Sequence, residues 1–300
     1  MSCRTPGGRG EAKAARSHCH RSGAAEDGSP TYESFSVTFC DRAENHAGMQ
    51  MIGKLAPAGF AVKELEAIAD QLSQYGQVDL HHLAVLLPNE LQATADPAAV
   101  LVIRGGVNLL LAKLPELLEA PEDALLCETR TQRFDERALM GRGSNRSVKH
   151  KRARHNNCYA DFEQEPDYPA GKGTVVPFAS APLLAALRSA LSARLGPKAA
   201  HLVAETNKYF DTRKCGIGWH GDSERRIVVG VRLGASSEMP LKFSWFQRSA
   251  PVGAVFEVPL EHGDIYVMSE KATGWDWMSN RKGLTLRHAA GAAKYAANKQ

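Results

Sequence analysis

The chain has 300 residues, 43% of them hydrophobic, and a formal net charge of +4, which is the composition of an ordinary folded protein with room for one large or two modest domains. No continuous apolar run of about 18 residues is present, so we exclude a transmembrane helix, and the N-terminus lacks the apolar core of a secretory signal. The six cysteines are scattered without a Cys-x-x-Cys pair, which favours reduced thiols and an intracellular location, in the cytoplasm or nucleus with an organelle still open.

The N-terminal half predicts a tail followed by an α+β region. Residues 1–30 are rich in Gly, Ser and Arg and poor in large apolar side chains, so we expect a disordered tail. Residues 31–140 form the predicted α+β region, in which Pro115 bends or divides the last helix. The periodicity of apolar residues predicts a strand over 34–39, a helix over 62–75, a strand over 100–103 and a helix over 109–118.

Residues 141–170 change character and are predicted to be a linker or a substrate loop. Six cations with no acid among them define a basic segment: Arg142, Arg146, Lys149, Lys151, Arg152 and Arg154. Such a cluster is either a solvated linker or a surface that contacts nucleic-acid phosphates. Four acidic residues follow and can neutralise the cations within the chain, which would weaken the nucleic-acid interpretation: Asp161, Glu163, Glu165 and Asp167.

Residues 171–300 predict a β-rich core. A leucine-rich helix over 181–195 comes first, and its apolar stripe is expected to pack on a sheet. Short strands separated by turn residues follow at 201–210, 226–233, 241–246, 255–260 and 265–268. Their regular spacing is typical of a sandwich or barrel, which is a rigid frame for a metal site.

A His-x-Asp motif at the end of an apolar run is the main candidate site. His220 and Asp222 are two residues apart, so in an extended chain their side chains point to the same face. A second imidazole would complete two histidines and one carboxylate, an arrangement that suits non-haem Fe(II). His262 and His288 are the histidines that follow. We favour His288, because His262 lies beside Gly263 in a predicted turn.

Residues 200–291 resemble the AlkB-like branch of the Fe(II)/2-oxoglutarate dioxygenases. The resemblance is carried by Asn207-Lys208-Tyr209, by His220-Gly221-Asp222 with Glu224, by Leu260-Glu261-His262-Gly263-Asp264-Ile265 and by His288. It implies a double-stranded β-helix (jelly-roll) core with flanking helices, in which His220, Asp222 and His288 hold the iron. It also implies that 2-oxoglutarate and O2 are co-substrates, that Asn207 and Tyr209 hydrogen-bond 2-oxoglutarate, and that a substrate is hydroxylated or demethylated.

The chain departs from this family at the expected 2-oxoglutarate anchor. The family places an Arg on a strand after the second His, but no Arg follows His288 in this chain. A buried carboxylate needs a cation. Arg232 lies an even number of residues from Asp222, between apolar neighbours, so we predict it as the anchor and Lys294 as the second candidate. The alternative is that Arg232 is an exposed strand residue.

The substrate is less defined by the sequence. An insertion with Trp275, Trp277, Lys271, Arg281 and Lys282 forms either an aromatic, basic lid that stacks on bases or a plain cover over the barrel mouth. With the basic segment, it favours nucleic acid as the substrate. The alternatives are a protein or small-molecule hydroxylase on the same core, and a non-catalytic jelly-roll binding or structural module.

Overall fold

The computed structural model describes residues 32–112, 119–280 and 282–296. The predicted tail over residues 1–30 lies outside the described residues. The strands within these ranges are β1 (Ser34–Cys40), β2 (Arg42–Glu44), β3 (Met51–Gly53), β4 (Val78–His82), β5 (Ala99–Ile103), β6 (Arg137–Met140), β7 (Ser147–His150), β8 (His155–Ala160), β9 (Val175–Pro177), β10 (Val203–Tyr209), β11 (Gly216–His220), β12 (Val228–Gly234), β13 (Leu241–Gln247), β14 (Ala250–Val258), β15 (Ile265–Met268) and β16 (Leu284–Gly291). The α-helices are α1 (Val62–Ser73), α2 (Asn89–Gln92), α3 (Gly106–Leu111), α4 (Pro121–Arg130), α5 (Pro182–Leu195), α6 (Glu270–Thr273) and α7 (Ala293–Ala296).

Two sheets dominate the fold. The large sheet has eight strands in the order β4-β5-β15-β12-β1-β10-β8-β9, and the small sheet has four in the order β11-β16-β13-β14. The strand pairs in both sheets are antiparallel except β8 with β9. The predicted α+β class is therefore confirmed.

Helices cover one face of the large sheet, and the small sheet packs near the other. On β12, Val229, Val231 and Leu233 join the core formed with α1, α3, α4 and α5, whereas Val228 joins the core shared with the small sheet. Burying each such side chain contributes about 1.5–3 kcal/mol. Because side chains alternate along a strand, Arg232 shares the Val228 face and points toward the small sheet.

The N-terminal strand belongs to the same sheet as the C-terminal core. β1 lies between β10 and β12 and pairs with both, with Ser36 opposite Asn207 on one side and Arg232 on the other. The regions 31–140 and 171–300 are thus joined through one sheet. The segment 141–170, predicted as a linker or loop, instead contains two strands. β7 forms a hairpin with β6, and β8 belongs to the large sheet.

Most element predictions agree with the fold, with differences at the ends. Helix 62–75 is observed as α1 and helix 181–195 as α5, each slightly shorter than predicted. Helix 109–118 begins earlier, as α3, and residues 113–118 lie outside the described residues. Cys40, Cys158 and Cys215 are free thiols as expected, whereas Cys127 is disulfide-bonded. None of the helices in the described ranges has the length and apolar character needed to cross a membrane.

Candidate metal centre

His220, Asp222 and His288 converge on one point, with their ligand atoms all within 4.8 Å of one another. Asp222 Oδ1 lies 3.5 Å from His220 Nε2 and 3.7 Å from His288 Nε2. Ligand atoms at these separations surround a space in which metal–ligand bonds of about 2.0–2.2 Å can form. His262 is not part of the cluster, and its Nδ1 accepts a hydrogen bond from the Gly234 N–H.

The cluster is assembled by strand pairing and a turn. His220 ends β11 and lies opposite His288 on β16. Asp222 follows the strand, and its N–H bonds to the Thr273 carbonyl. His220 Nε2 and Asp222 Oδ1 lie 3.5 Å apart, so the two side chains point to the same side, as their spacing predicts. Gly221 permits the close approach of the Gly274 backbone, because a Cβ there would lie 2.2 Å from the Gly274 carbonyl oxygen.

Hydrogen bonding orients the His220 ring. Its Nδ1 lies 2.8 Å from the carbonyl oxygen of Gly218. A carbonyl only accepts, so Nδ1 carries the proton and Nε2 keeps its lone pair for a ligand bond. The strand that carries His220 thus also sets the tautomer that a metal ligand needs.

The charge state of the cluster suits a cation. Burial lowers the pKa of His288 to about 3, so its imidazole is neutral at neutral pH. Burial alone would raise the pKa of Asp222, but the Arg225 charge and the neighbouring His288 and His220 rings outweigh burial and hold that pKa well below its usual range. A carboxylate and a neutral imidazole are the forms that bind divalent metals.

Arg225 is a buried cation beside the cluster that the sequence did not reveal. Its Nη2 donates to Glu205 and Glu224 at 2.7 Å each, and its Nε lies 3.8 Å from Asp222 Oδ2. It is 5% exposed. Arg225 therefore joins three carboxylates from β10 and the turn after β11, and it stabilises the ionised form of Asp222.

Arg232 also lines the pocket around the three candidate ligands, called the metal pocket below, but its surroundings differ from those of Arg225. The pocket has a volume of about 510 Å³ and contains the three candidate ligands. Arg232 is 1% exposed, and neither its Nε nor its Nη1 has a hydrogen-bond partner. The prediction that it shares a face with the site therefore agrees with the fold. Lys294 is exposed and does not line the pocket.

Asn207 and Tyr209, which the resemblance assigns to 2-oxoglutarate binding, both line the pocket from β10. The Asn207 amide is already engaged, because its Oδ1 accepts from Arg154 Nε at 2.6 Å and its Nδ2 donates to Glu205 at 3.3 Å. Burial raises the pKa of Tyr209, so its hydroxyl stays protonated. Both residues therefore present fixed polar groups to the pocket.

The end of β2 and the two residues that follow it also contribute to the pocket wall. Glu44, Asn45 and His46 line the pocket. Burial raises the pKa of Glu44 to about 7, with Glu224 and Glu205 adding to the shift. No spacing in the sequence connects these residues to the candidate metal ligands.

The basic segment is divided between surface and interior. Arg142, Lys149 and Arg152 are exposed, but Lys151 is 8% exposed and binds Asn45 and Asn156. Its assignment as a surface cation was wrong. The acidic run does not neutralise the segment: Asp161 pairs with Arg188, and Glu165 with Arg133.

The predicted lid is only partly a surface. Trp277 lines the metal pocket. Trp275 instead stacks against the guanidinium of Arg226, whose Cζ lies 3.8 Å from the centre of the Trp275 ring. Lys271 is buried and paired with Asp96 and Asp276, so it cannot contact a substrate phosphate. Lys282 is exposed, and Arg281 lies outside the described residues.

No family model matches the chain. A protein of Acanthamoeba polyphaga mimivirus, described as uncharacterized protein R156, is 42% identical over 266 residues, which is 88% of this chain and 97% of the viral protein. The chain belongs to the same family as this viral protein. The name of the viral protein assigns no activity.

Proposed function

We propose that the protein is an Fe(II)- and 2-oxoglutarate-dependent dioxygenase that hydroxylates or demethylates its substrate. The observation that carries the proposal is one pocket that contains both a His-Asp-His cluster and a buried, unpaired guanidinium. The first fits a metal, and the second fits the far carboxylate of a dicarboxylic co-substrate.

The strand order supports a jelly-roll core. Apart from the β13–β14 hairpin, successive strands alternate between the sheets, with β10, β12 and β15 in the large sheet and β11, β13, β14 and β16 in the small one. β1 fills the position between β10 and β12. Sheets joined by such crossings pack face to face and form a double-sheet architecture.

The donor set fits Fe(II). Two imidazole nitrogens and one carboxylate oxygen on one side of an ion leave other positions for O2 and a co-substrate. When bound, the iron would couple the oxidative decarboxylation of 2-oxoglutarate to hydroxylation of a C–H bond, and hydroxylation of an N-methyl group leads to its loss. The residues of the chain supply orientation, a fixed charge pattern and exclusion of water.

Arg232 would bind the far carboxylate of 2-oxoglutarate. An unpaired guanidinium in the interior is costly, and a carboxylate can accept two parallel hydrogen bonds from it. Its register partner Ser36 and the Tyr209 side chain add polar contacts to the same wall. In this proposal β12 supplies the cation that the family places on a strand after the second His.

Nucleic acid is the favoured substrate. Exposed cations of the basic segment lie on and just after the β6–β7 hairpin, and Arg142, Lys149 and Arg152 have no ion pair within the described residues. Lys and Arg side chains of this kind can contact nucleic-acid phosphates whatever the base sequence, and their charge attracts polyanions. A protein or small-molecule hydroxylase would have been favoured if the acidic run neutralised these cations.

The decisive experiment measures metal content and succinate release from 2-oxoglutarate in the purified chain. We expect both to depend on His220 and to be lost in His220→Ala, with His82→Ala, an exposed histidine outside the pocket, as the matched control. Unchanged metal content in His220→Ala would reject the site. Metal binding without succinate release in the wild type would favour the binding module.

Salt dependence tests the substrate class. Oligonucleotide affinity should fall by several powers of ten between about 50 and 200 mM salt if six or more phosphates are contacted, and proportionately less for fewer contacts. A flat response would favour the protein or small-molecule hydroxylase.

A further inference from the structure

A second, smaller recess adjoins the metal pocket. It has a volume of about 80 Å³ and shares His46 and Arg154 with the larger pocket. It is lined by His46, Met140, Lys151, Arg152, Ala153, Arg154 and Asn156. Since a water molecule occupies about 30 Å³ in the liquid, the recess has room for one small polyatomic anion.

Three cations surround this recess without direct carboxylate partners. Lys151 donates to the amide oxygens of Asn45 and Asn156, and Arg154 Nε donates to the amide oxygen of Asn207. Arg152 is exposed and has no ion pair in the part of the chain that the structure describes. Neutral amide oxygens orient these cations but leave their charge uncompensated.

The nearest carboxylates are committed to other groups. Asp135 accepts hydrogen bonds from Asn45, Tyr168 and Thr174. Glu205 is paired with Arg225. Neither carboxylate lines the recess. The charge of the recess is therefore balanced only at a distance.

The pKa values of two lining groups reflect burial first and the surrounding charges second. Burial, together with the charges of Lys151 and Arg154, lowers the pKa of His46 to about 4. Burial also lowers the pKa of Lys151 to about 8, although it stays mainly protonated at neutral pH. A bound anion would offset both effects.

We propose that this recess binds a phosphate group of the substrate. A tetrahedral phosphate offers several acceptor oxygens, which matches the ammonium and two guanidinium groups that the loop between β7 and β8 contributes. Its position beside the metal pocket would hold the phosphate while the adjoining part of the substrate enters the pocket. That catalytic placement rests on the proposed function, but phosphate binding itself does not.

Titration of inorganic phosphate into the full, metal-free chain by calorimetry tests the site. We expect saturable binding of one phosphate. The affinity should fall about tenfold in Arg152→Gln, because the attraction between a phosphate and one nearby cation at intermediate dielectric is of this size. Lys149→Gln removes an exposed cation of the same segment that does not line the recess, and it should change the affinity less than twofold. Equal weakening in both variants, or no saturable binding, would overturn the proposal.

A competition experiment identifies the source of the phosphate and separates the two proposals. In His220→Ala, phosphate binding should persist, and a nucleoside 5′-monophosphate and a short single-stranded oligonucleotide should each be tested as competitors. Displacement by the oligonucleotide indicates a phosphodiester substrate, and displacement by the monophosphate alone indicates a small phosphorylated one. If neither competes, the recess does not serve the substrate. Phosphate binding without succinate release in the wild type would leave the recess intact and reject the dioxygenase.

Discussion

The two buried arginines of the metal pocket have opposite surroundings. Arg225 makes hydrogen bonds to Glu205 and Glu224 and lies beside Asp222. Arg232, on the strand that follows, leaves Nε and Nη1 without a partner. Both are almost fully buried. Desolvating a guanidinium costs several kcal/mol unless a counter-charge offsets it. The charge of Arg225 is therefore offset by carboxylates of the protein, whereas Arg232 has no ion pair in the described part of the chain.

The difference separates two kinds of functional charge. Arg225 acts within the protein, because it balances carboxylates that would otherwise repel one another next to a metal ligand. In the proposed function Arg232 acts toward a bound molecule, because its Nε and Nη1 have no hydrogen-bond partner among the described residues. The same substitution at the two positions should therefore have opposite consequences for folding and for binding.

The largest effect is expected for Arg225→Met. Removing this cation leaves Glu205, Glu224 and Asp222 buried without their partner, so we expect a loss of about 3–5 kcal/mol in the free energy of unfolding. Urea denaturation of the metal-free chain measures it. A loss below about 1 kcal/mol would mean that Arg225 is dispensable to this wall.

Arg232→Met should affect the co-substrate rather than the fold. We expect the apparent KM for 2-oxoglutarate to rise about 100-fold, because a buried charged pair loses 2–5 kcal/mol when one partner is truncated. The free energy of unfolding should stay the same or increase, because an unpaired buried charge is removed. Arg232→Lys should recover part of the affinity. An unchanged KM would remove Arg232 as the anchor.

The smallest effect concerns Glu44, at the pocket wall near Arg225. Its folded pKa of about 7 lies above the ordinary value of 4.5, so the folded state binds the proton more tightly than the unfolded state. Stability linked to Glu44 is therefore present below pH 4.5 and is lost as the pH rises to 7. After allowance for solvent screening, Glu44→Gln should be more stable than the wild type by about 1 kcal/mol at pH 8.

The control for this prediction is the same pair of proteins compared at low pH, where Glu44 is protonated. At pH 4.5 the wild type and Glu44→Gln should unfold at nearly the same urea concentration, because Gln resembles the protonated acid. A difference that is equal at pH 4.5 and pH 8 would show that the effect is steric and would contradict the electrostatic interpretation of this wall.

Local patterns predicted the parts of the site that lie on regular elements. The period of apolar residues located α1, α5 and most core strands. Alternation along β12 indicated that Arg232 faces inward. His288 lies in a predicted strand and was therefore preferred as the partner of His220 to His262, which lies in a predicted turn. In each case the information lies within a few neighbouring residues, where backbone geometry sets direction.

Long-range pairing decided the rest. The insertion of β1 between β10 and β12, the meeting of Glu205 with Arg225, and the contribution of Glu44 and His46 to the pocket have no local signal. The burial of Lys151 likewise depends on Asn45, far away in the chain. The sequence by itself determined which side chains have metal-binding chemistry and which way strand residues point. Only the tertiary structure decided which charges are neutralised, because desolvation and pairing depend on groups that the fold brings together from distant positions.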